Sequence, residues 1–188
     1  MSRLFPPATA LAILTLATPG VAQDAARFAP SGRATTSIEI ALPEGAEGPV
    51  RAVTLEWGQP HLRGRTLHTG SLVPFGEVWR TGANAPTALE TDLGLMIGSA
   101  HLAPGRYLVF TLPTAAGWQL ILQPDAGQTI ATYDATQDLA RLPLRARTLT
   151  SPVESLSMAL IPAPEGLAAE WRISWGTTEL AIDLHAMQ

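Results

Sequence analysis

Residues 106–123, RYLVFTLPTAAGWQLILQ, decide the fold class of this chain. Two runs rich in apolar and aromatic residues flank the segment PTAAG, whose proline and glycine are typical of turns. Runs of this length, joined by so short a connection, favour strands that pair with each other. The segment therefore predicts an antiparallel β-hairpin.

The rest of the chain repeats this pattern. Apolar and polar side chains alternate in IEIAL at 38–42 and in VTLEW at 53–57, as in half-buried strands. Further strands are predicted at 139–149, 153–160, 167–175 and 179–184, with a short turn at 176–178. The one helical hint, at 135–140, amounts to a single turn. About ten short strands with few helices predict an all-β fold, an antiparallel β-sandwich of jelly-roll-like form with one long ordered loop.

Composition narrows the class of protein. With 188 residues, 46% of them hydrophobic, the chain is long enough for one domain with its own core. It has no cysteine, so disulfides and thiolate metal sites are excluded. All basic residues are arginine, which excludes chemistry that needs a lysine. A net charge of −4 without a basic patch argues against nucleic acid as a partner.

The N-terminus has the features of a leader. Arg3 precedes an apolar run at 8–17, and the helix-breaking pair PG at 19–20 is followed by small residues. We therefore expect a signal peptide over residues 1–22 and a single domain over 23–188, located in the periplasm or secreted. The alternative, an uncleaved anchor, is disfavoured because the run is short for a bilayer span. No stable membrane insertion is expected after cleavage.

The segment 58–84 has neither a helical nor a strand period, yet it is rich in aromatic side chains and arginines. Arg63 and Arg65 lie two positions apart, so in an extended segment they would point the same way. Together with Arg80 they would bind an anionic group through paired hydrogen bonds. Alternatively, the arginines bind the loop's own carbonyls and nearby acids. Those acids are Glu56, Glu77 and Glu90.

Three neighbours complete the candidate ligand site. Trp79 would stack on a ligand ring, while His61 and Asn84 would donate or accept hydrogen bonds. The competing interpretation makes Trp79 a plug beneath the loop and Asn84 a turn residue. The leading functional hypothesis is a binding module for an anionic or carbohydrate-like small ligand, with no cofactor and no metal site.

Two other functions stay open at this point. One is a metal-assisted or acid/base hydrolase that uses His61 or His68 with Asp134, although the histidines lack a zinc-site spacing. The other is a structural envelope protein without a small-molecule site. The sequence carries no signal for the oligomeric state or for a partner protein.

The loop also carries a family resemblance. Residues 59–87, QPHLRGRTLHTGSLVPFGEVWRTGANAPT, and residues 101–113, HLAPGRYLVFTLP, resemble the exported bacterial proteins grouped as domain of unknown function 2911. The string WRTGAN is the most specific part, and the likeness extends over about residues 38–184. Gln59 stands where that family usually has an arginine. The resemblance implies an exported domain of the same fold, and the family name assigns no activity.

Overall fold

The computed structural model describes residues 30–41, 44–45, 47–68, 72–127 and 132–187. The predicted signal peptide, residues 1–22, lies outside the described residues. The described residues form nine strands, bounded as follows: β1 Gly32–Ile40, β2 Arg51–Gln59, β3 Ala88–Thr91, β4 Gly94–Ile97, β5 Ala100–Leu102, β6 Gly105–Thr114, β7 Gly117–Pro124, β8 Ala140–Pro162 and β9 Ala168–Met187. A single 3-10 turn, Ala135–Gln137, lies where the helical hint was found. The all-β prediction is confirmed.

Backbone pairing joins the nine strands into one antiparallel sheet, in the order β1-β2-β3-β6-β7-β8-β9-β4-β5. The predicted hairpin is the β6–β7 pair, with Phe110 opposite Ile121. Strand β8 joins two halves of the sheet, β1-β2-β3-β6-β7 and β9-β4-β5. Its residues 140–144 pair with β7, and residues between 145 and 162 pair with β9. The packing of two separate sheets in a jelly-roll-like sandwich stays a prediction.

Strands from both halves of the sheet share one core. Alternation in β2 buries Val53, Leu55 and Trp57, as side chains of one strand face require. The Trp57 indole Nε1 donates to the carbonyl of Leu156 in β8 at 3.0 Å. Since β2 and β8 are not neighbours in the sheet, this contact brings one half of the sheet over the other. The core includes Trp171 of β9, which is fully buried.

The second half of the chain differs from its prediction. Two predicted strands merge into β8, and the turn predicted at 176–178 does not form, because β9 runs straight through it. Thr148 pairs with Thr178 and Val153 with Gly176, so residues 149–152 bulge opposite Thr177 alone. Gly176 has a φ of 58°. A glycine with positive φ serves here in a β-bulge rather than in a reversal of the chain.

The loop after β2 is fixed by backbone pairing. Leu62 N donates to Glu154 O at 2.8 Å, and Trp79 exchanges two hydrogen bonds of 2.8 Å with Thr111 of β6. The described parts of the loop are therefore attached to β8 at one end and to β6 at the other. None of the described residues belongs to a helix with the length and apolar character that crossing a membrane requires.

Candidate functional site

The loop forms one side of an open cleft of about 560 Å³. The opposite side comes from β6, from the segment before the 3-10 turn, and from β9. Four aromatic rings, two arginines and small or aliphatic residues line the cleft: Pro60, Arg65, Leu72, Val78, Trp79, Arg80, Gly82, Ala83, Phe110, Tyr133 and Trp175. A cleft walled by aromatic rings with a few polar groups is typical of small-molecule sites.

Arg65 enters the cleft because the chain turns sharply before it. Arg65 N donates to Leu62 O at 3.0 Å, and the two central residues, Arg63 and Gly64, have φ values of 50° and 74°. Positive φ at both central positions makes this a type I′ turn. The Arg65 side chain then donates from Nε to Leu62 O and from Nη2 to His61 O, both at 2.9 Å. Main-chain carbonyls therefore hold the guanidinium in place.

The same turn separates Arg63 from Arg65. The expectation that both lie on one face of an extended segment is wrong, because side chains alternate in that way only on extended backbone. Arg63 Nη2 donates to Pro30 O at 2.8 Å, and Arg63 N donates to Glu154 Oε1 at 2.8 Å. Arg63 does not line the cleft. The structure brings Arg65 and Arg80 together there and directs Arg63 to the start of the described chain.

Arg80 is exposed and reaches the cleft from the WRTGAN end of the loop. Its Nε donates to Gly82 O at 3.2 Å. The next residue, Thr81, is fully buried and has a φ of 54°, which is a strained conformation for a β-branched side chain. Thr87 Oγ1 donates to Thr81 O at 3.0 Å and helps to hold that backbone. Backbone strain of this kind concentrates at functional sites.

Two glycines explain how the WRTGAN turn packs on β2. Ala83 N donates to Gly58 O at 3.1 Å, so the two backbones touch. A Cβ on Gly58 would lie 1.7 Å from Ala83 O, and a Cβ on Gly82 would lie 2.5 Å from Thr87 Oγ1. Neither position has room for a side chain. The glycines therefore allow the close approach that sets Arg80 at the cleft.

Aromatic pairs form the walls. The rings of Trp79 and Trp175 stack with centroids 5.6 Å apart at an interplanar angle of 19°. Phe110 and Tyr133 meet edge to face, with centroids 5.4 Å apart. Trp175 Nε1 donates to Glu154 O at 3.2 Å, which fixes its ring. Sequence reasoning found only Trp79 of these four, because the other three belong to distant segments that no local signal connects to the loop.

Tyr133 is held by a charged pair next to the cleft. Its hydroxyl donates to Asp138 Oδ2 at 2.9 Å and accepts from Arg141 Nη2, while Arg141 Nε donates to the same Asp138 oxygen at 2.7 Å. Burial, followed by the hydrogen bond to Asp138, raises the pKa of Tyr133 above its ordinary value. The phenol is therefore neutral at physiological pH and adds no charge to the cleft.

The cleft carries positive charge without a matching acid. Among the described residues, neither Arg65 nor Arg80 has a carboxylate within ion-pair distance. Two of the acids expected near the loop are engaged elsewhere: Glu56 pairs with Arg33 and Arg106, and Glu90 pairs with Arg106. Arg65 and Arg80 do bind carbonyls of the loop, as the alternative interpretation expects. Each guanidinium has five N–H groups, however, and these bonds to the described residues use only some of them.

The other predicted ligand-binding residues lie away from the cleft. His61 Nδ1 and Ser155 Oγ are 2.6 Å apart, and Asn84 Nδ2 donates to Ser31 O at 3.3 Å. Neither His61 nor Asn84 lines the cleft. Of the six residues expected to bind ligand, three therefore surround the cleft: Arg65, Trp79 and Arg80.

The residues of the hydrolase alternative have separate partners. His68 Nδ1 donates to Val73 O at 2.8 Å, and its ring stacks on Phe75 with centroids 4.2 Å apart. Asp134 caps the 3-10 turn, accepting from Thr136 N at 2.9 Å, and this hydrogen bond lowers the pKa of Asp134. His61, His68 and Asp134 are all absent from the lining of the cleft.

Comparison with known proteins identifies the family. The family described as "Protein of unknown function (DUF2911)" matches residues 46–184. This match covers most of the chain and the whole of the loop that borders the cleft, so the chain belongs to this family. The resemblance noted in the sequence is confirmed. No curated protein and no solved structure gives a significant match.

Proposed function

We propose that this family member is an exported binding module that takes a small anionic or carbohydrate-like ligand in the cleft beside Arg65, Arg80 and Trp79. The observation that carries the proposal is a pair of arginines in an aromatic cleft, oriented by main-chain carbonyls and without a carboxylate partner among the described residues. Export rests on the leader-like sequence of residues 1–22 and places the protein in the periplasm or outside the cell.

The free donors fit an oxyanion. Among the described residues Arg80 binds only Gly82 O, through Nε, so both of its terminal NH2 groups remain for a ligand in that part of the chain. Two parallel N–H donors match a carboxylate, phosphate or sulfate in bidentate geometry. Arg65 adds its remaining N–H groups from the other end of the loop. Because two hydrogen bonds of 2.9 Å already hold the Arg65 guanidinium, this side chain would lose little freedom when a ligand binds.

The aromatic walls fit the body of the ligand. Trp79 is partly exposed and stacks on the buried Trp175, so it offers an apolar ring surface next to the cations. A sugar ring or another compact ring packs on such a surface while its acid group meets the arginines. We therefore expect an acidic sugar to bind more tightly than either a neutral sugar or inorganic phosphate alone.

Thermal unfolding at fixed ionic strength tests this function. Phosphate, sulfate, glucuronate and glucose are titrated against the wild type, Arg80→Gln and Arg65→Gln. Stabilisation by the anions should follow mass action, reaching about 2.7 kcal/mol at a ligand concentration of a hundred times Kd, and should shrink in both variants. It should also weaken as salt is added, because exposed charges are screened.

Arg63→Gln is the matched control. Arg63 belongs to the same loop but donates to Pro30 O outside the cleft. Its variant should respond to the anions like the wild type. The proposal fails if millimolar anions do not stabilise the wild type, or if all three variants respond alike.

A further inference from the structure

A second cavity lies on the other side of Arg65. It measures about 410 Å³ and is bounded by the loop and by the bulge of the β8–β9 hairpin. Its walls include the aliphatic side chains of Leu62 and Leu67, Pro152 and the exposed Thr177. Arg65 is common to both cavities, so its side chain forms the edge between them. We call this second cavity the bulge pocket.

Two polar side chains of the bulge pocket, Glu154 and His68, bind groups of the protein. Glu154 Oε1 accepts from Arg63 N at 2.8 Å, and His68 Nδ1 donates to Val73 O at 2.8 Å. The surface left for a ligand is mainly aliphatic. The carboxylate of Glu154 also disfavours a second anion there, because like charges repel at short range. The charged end of a ligand therefore belongs in the cleft, and the bulge pocket suits an uncharged, apolar part.

A small gap lies among side chains that also line the two cavities. It has a volume of about 10 Å³ and is lined by apolar side chains of the core together with Thr178. It shares Trp79 and Trp175 with the cleft, and Leu67 and Thr178 with the bulge pocket. A gap of this size has room for about one water molecule, so a chain from the cleft would reach the bulge pocket over Arg65, which lines both cavities.

We propose that the cleft and the bulge pocket together bind a single-chain amphiphile, with its anionic head on Arg80 and Arg65 and its alkyl chain in the bulge pocket. This inference rests on the proposed function, whose ligand class it narrows. Charge and surface chemistry carry it: the cations line the cleft, the aliphatic walls line the bulge pocket, and Arg65 lines both. Contact with an aliphatic wall removes the chain from water, which is favourable for each methylene buried.

Alkyl phosphates of increasing length, used as monomers, test the inference. The wild type is titrated calorimetrically with ethyl, hexyl and decyl phosphate. Kd should fall about fourfold for each added methylene until the pocket is filled. Arg80→Gln should weaken all three ligands by a similar factor, because it removes only the head contact. Thr177→Trp, which fills the bulge pocket from its exposed side, should remove the dependence on chain length and leave ethyl phosphate unaffected.

Thr148→Trp is the control for the added ring. Thr148 is exposed on the same hairpin, pairs with Thr178 and does not line the bulge pocket. Its variant should keep the wild-type dependence on chain length. The wild-type series alone decides the matter if Thr177→Trp does not fold.

The outcomes separate this inference from the proposed function. A Kd that is equal for all chain lengths but rises in Arg80→Gln overturns the amphiphile and leaves the anion cleft standing. No binding of any alkyl phosphate overturns both. Binding to vesicles of anionic lipid without binding to the monomers would also overturn it, because the partner would then be a membrane surface.

Discussion

Arginines on the sheet face and arginines at the cleft have different partners. Arg106 of β6 donates to Glu56 and Glu90 at 3.0 Å and to Asp125 at 2.9 Å, so three carboxylates surround one guanidinium. Arg65 and Arg80 donate to main-chain carbonyls instead. On the sheet face the charge is neutralised within the protein, whereas at the cleft no carboxylate of the described residues pairs with the arginines.

The difference follows from backbone geometry. Glu90 lies directly opposite Arg106 in the β3–β6 pair, at the distance where opposite charges across a sheet interact. The loop has no such register, and its turns place carbonyls rather than carboxylates around Arg65 and Arg80. The function of an arginine in this protein is therefore read from its partners in space. Its neighbours in sequence do not distinguish Arg63 from Arg65.

The largest loss of stability is expected where the turn that carries Arg80 packs on β2. Gly58→Ala places a Cβ 1.7 Å from Ala83 O, so the WRTGAN turn must shift away from β2. We expect a loss of about 3 kcal/mol in the free energy of unfolding, at the upper end of overpacking costs. Gly32→Ala is the control, since nothing lies within 4 Å of a Cβ there. Denaturant unfolding measures both, and equal midpoints would show that the turn is not packed on Gly58.

The next largest loss of stability is expected when Arg106, the arginine paired with three carboxylates, is replaced. Arg106→Gln removes three ion pairs from a side chain that is 38% exposed, so solvent screening keeps the expected loss near 1 kcal/mol. The loss should shrink at high salt, where exposed pairs are screened. Denaturant unfolding at low and high ionic strength provides the measurement. A loss that does not depend on salt would contradict an electrostatic origin.

Acid should reveal the same network. Hydrogen bonds from Arg33 and then Arg106 lower the pKa of Glu56 from its ordinary value of 4.5. A carboxyl group with a lowered folded-state pKa stabilises the protein fully above pH 4.5, and this contribution is lost as the pH falls through the folded-state pKa. The stability difference between wild type and Glu56→Gln should therefore narrow in acid.

Unfolding midpoints at neutral and acidic pH measure that difference. Glu39→Gln, at an exposed position of the edge strand β1, is the control. A difference for Glu56→Gln that stays constant into acid would mean that the ion pairs of Glu56 do not contribute to stability.

The smallest change in stability is expected for Arg80, at the cleft. Without ligand, Arg80→Gln should change stability by no more than ~0.5 kcal/mol, because Arg80 is exposed and its one carbonyl partner, Gly82 O, lies at 3.2 Å. Denaturant unfolding beside Arg106→Gln gives the direct comparison. If the two variants lose equal stability, Arg80 is a structural residue and the contrast between the two regions disappears.

Local patterns predict the strands well, and three of the six candidate residues line the cleft. The β6–β7 hairpin was evident because its strands and its turn are adjacent in sequence. The bulge opposite Thr177 is not evident from the sequence, because Gly176 is equally compatible with a turn. Only the pairing of β9 with β8 decides between a bulge and a turn. The long single strand β8 was divided for the same reason.

The site shows the same limit. Trp79, Arg65 and Arg80 were found because they crowd one loop, whereas Trp175 reaches the cleft through the fold of β9. Arg63 was misplaced because its left-handed backbone reverses the chain. The glycine after it, Gly64, is the local signal that favours such a turn.

Strand β8 has a consequence for how the molecule opens. Strand β8 hydrogen-bonds to β7 at its start and to β9 along the rest. The two halves of the sheet therefore cannot separate from each other while β8 keeps both sets of hydrogen bonds. Amide hydrogens in both halves should then exchange with solvent in a single cooperative step, at rates set by global unfolding. Residues 149–152, which bulge out of the ladder beside the bulge pocket, should exchange earlier. We therefore expect the wall of that pocket to move more readily than the rest of the sheet.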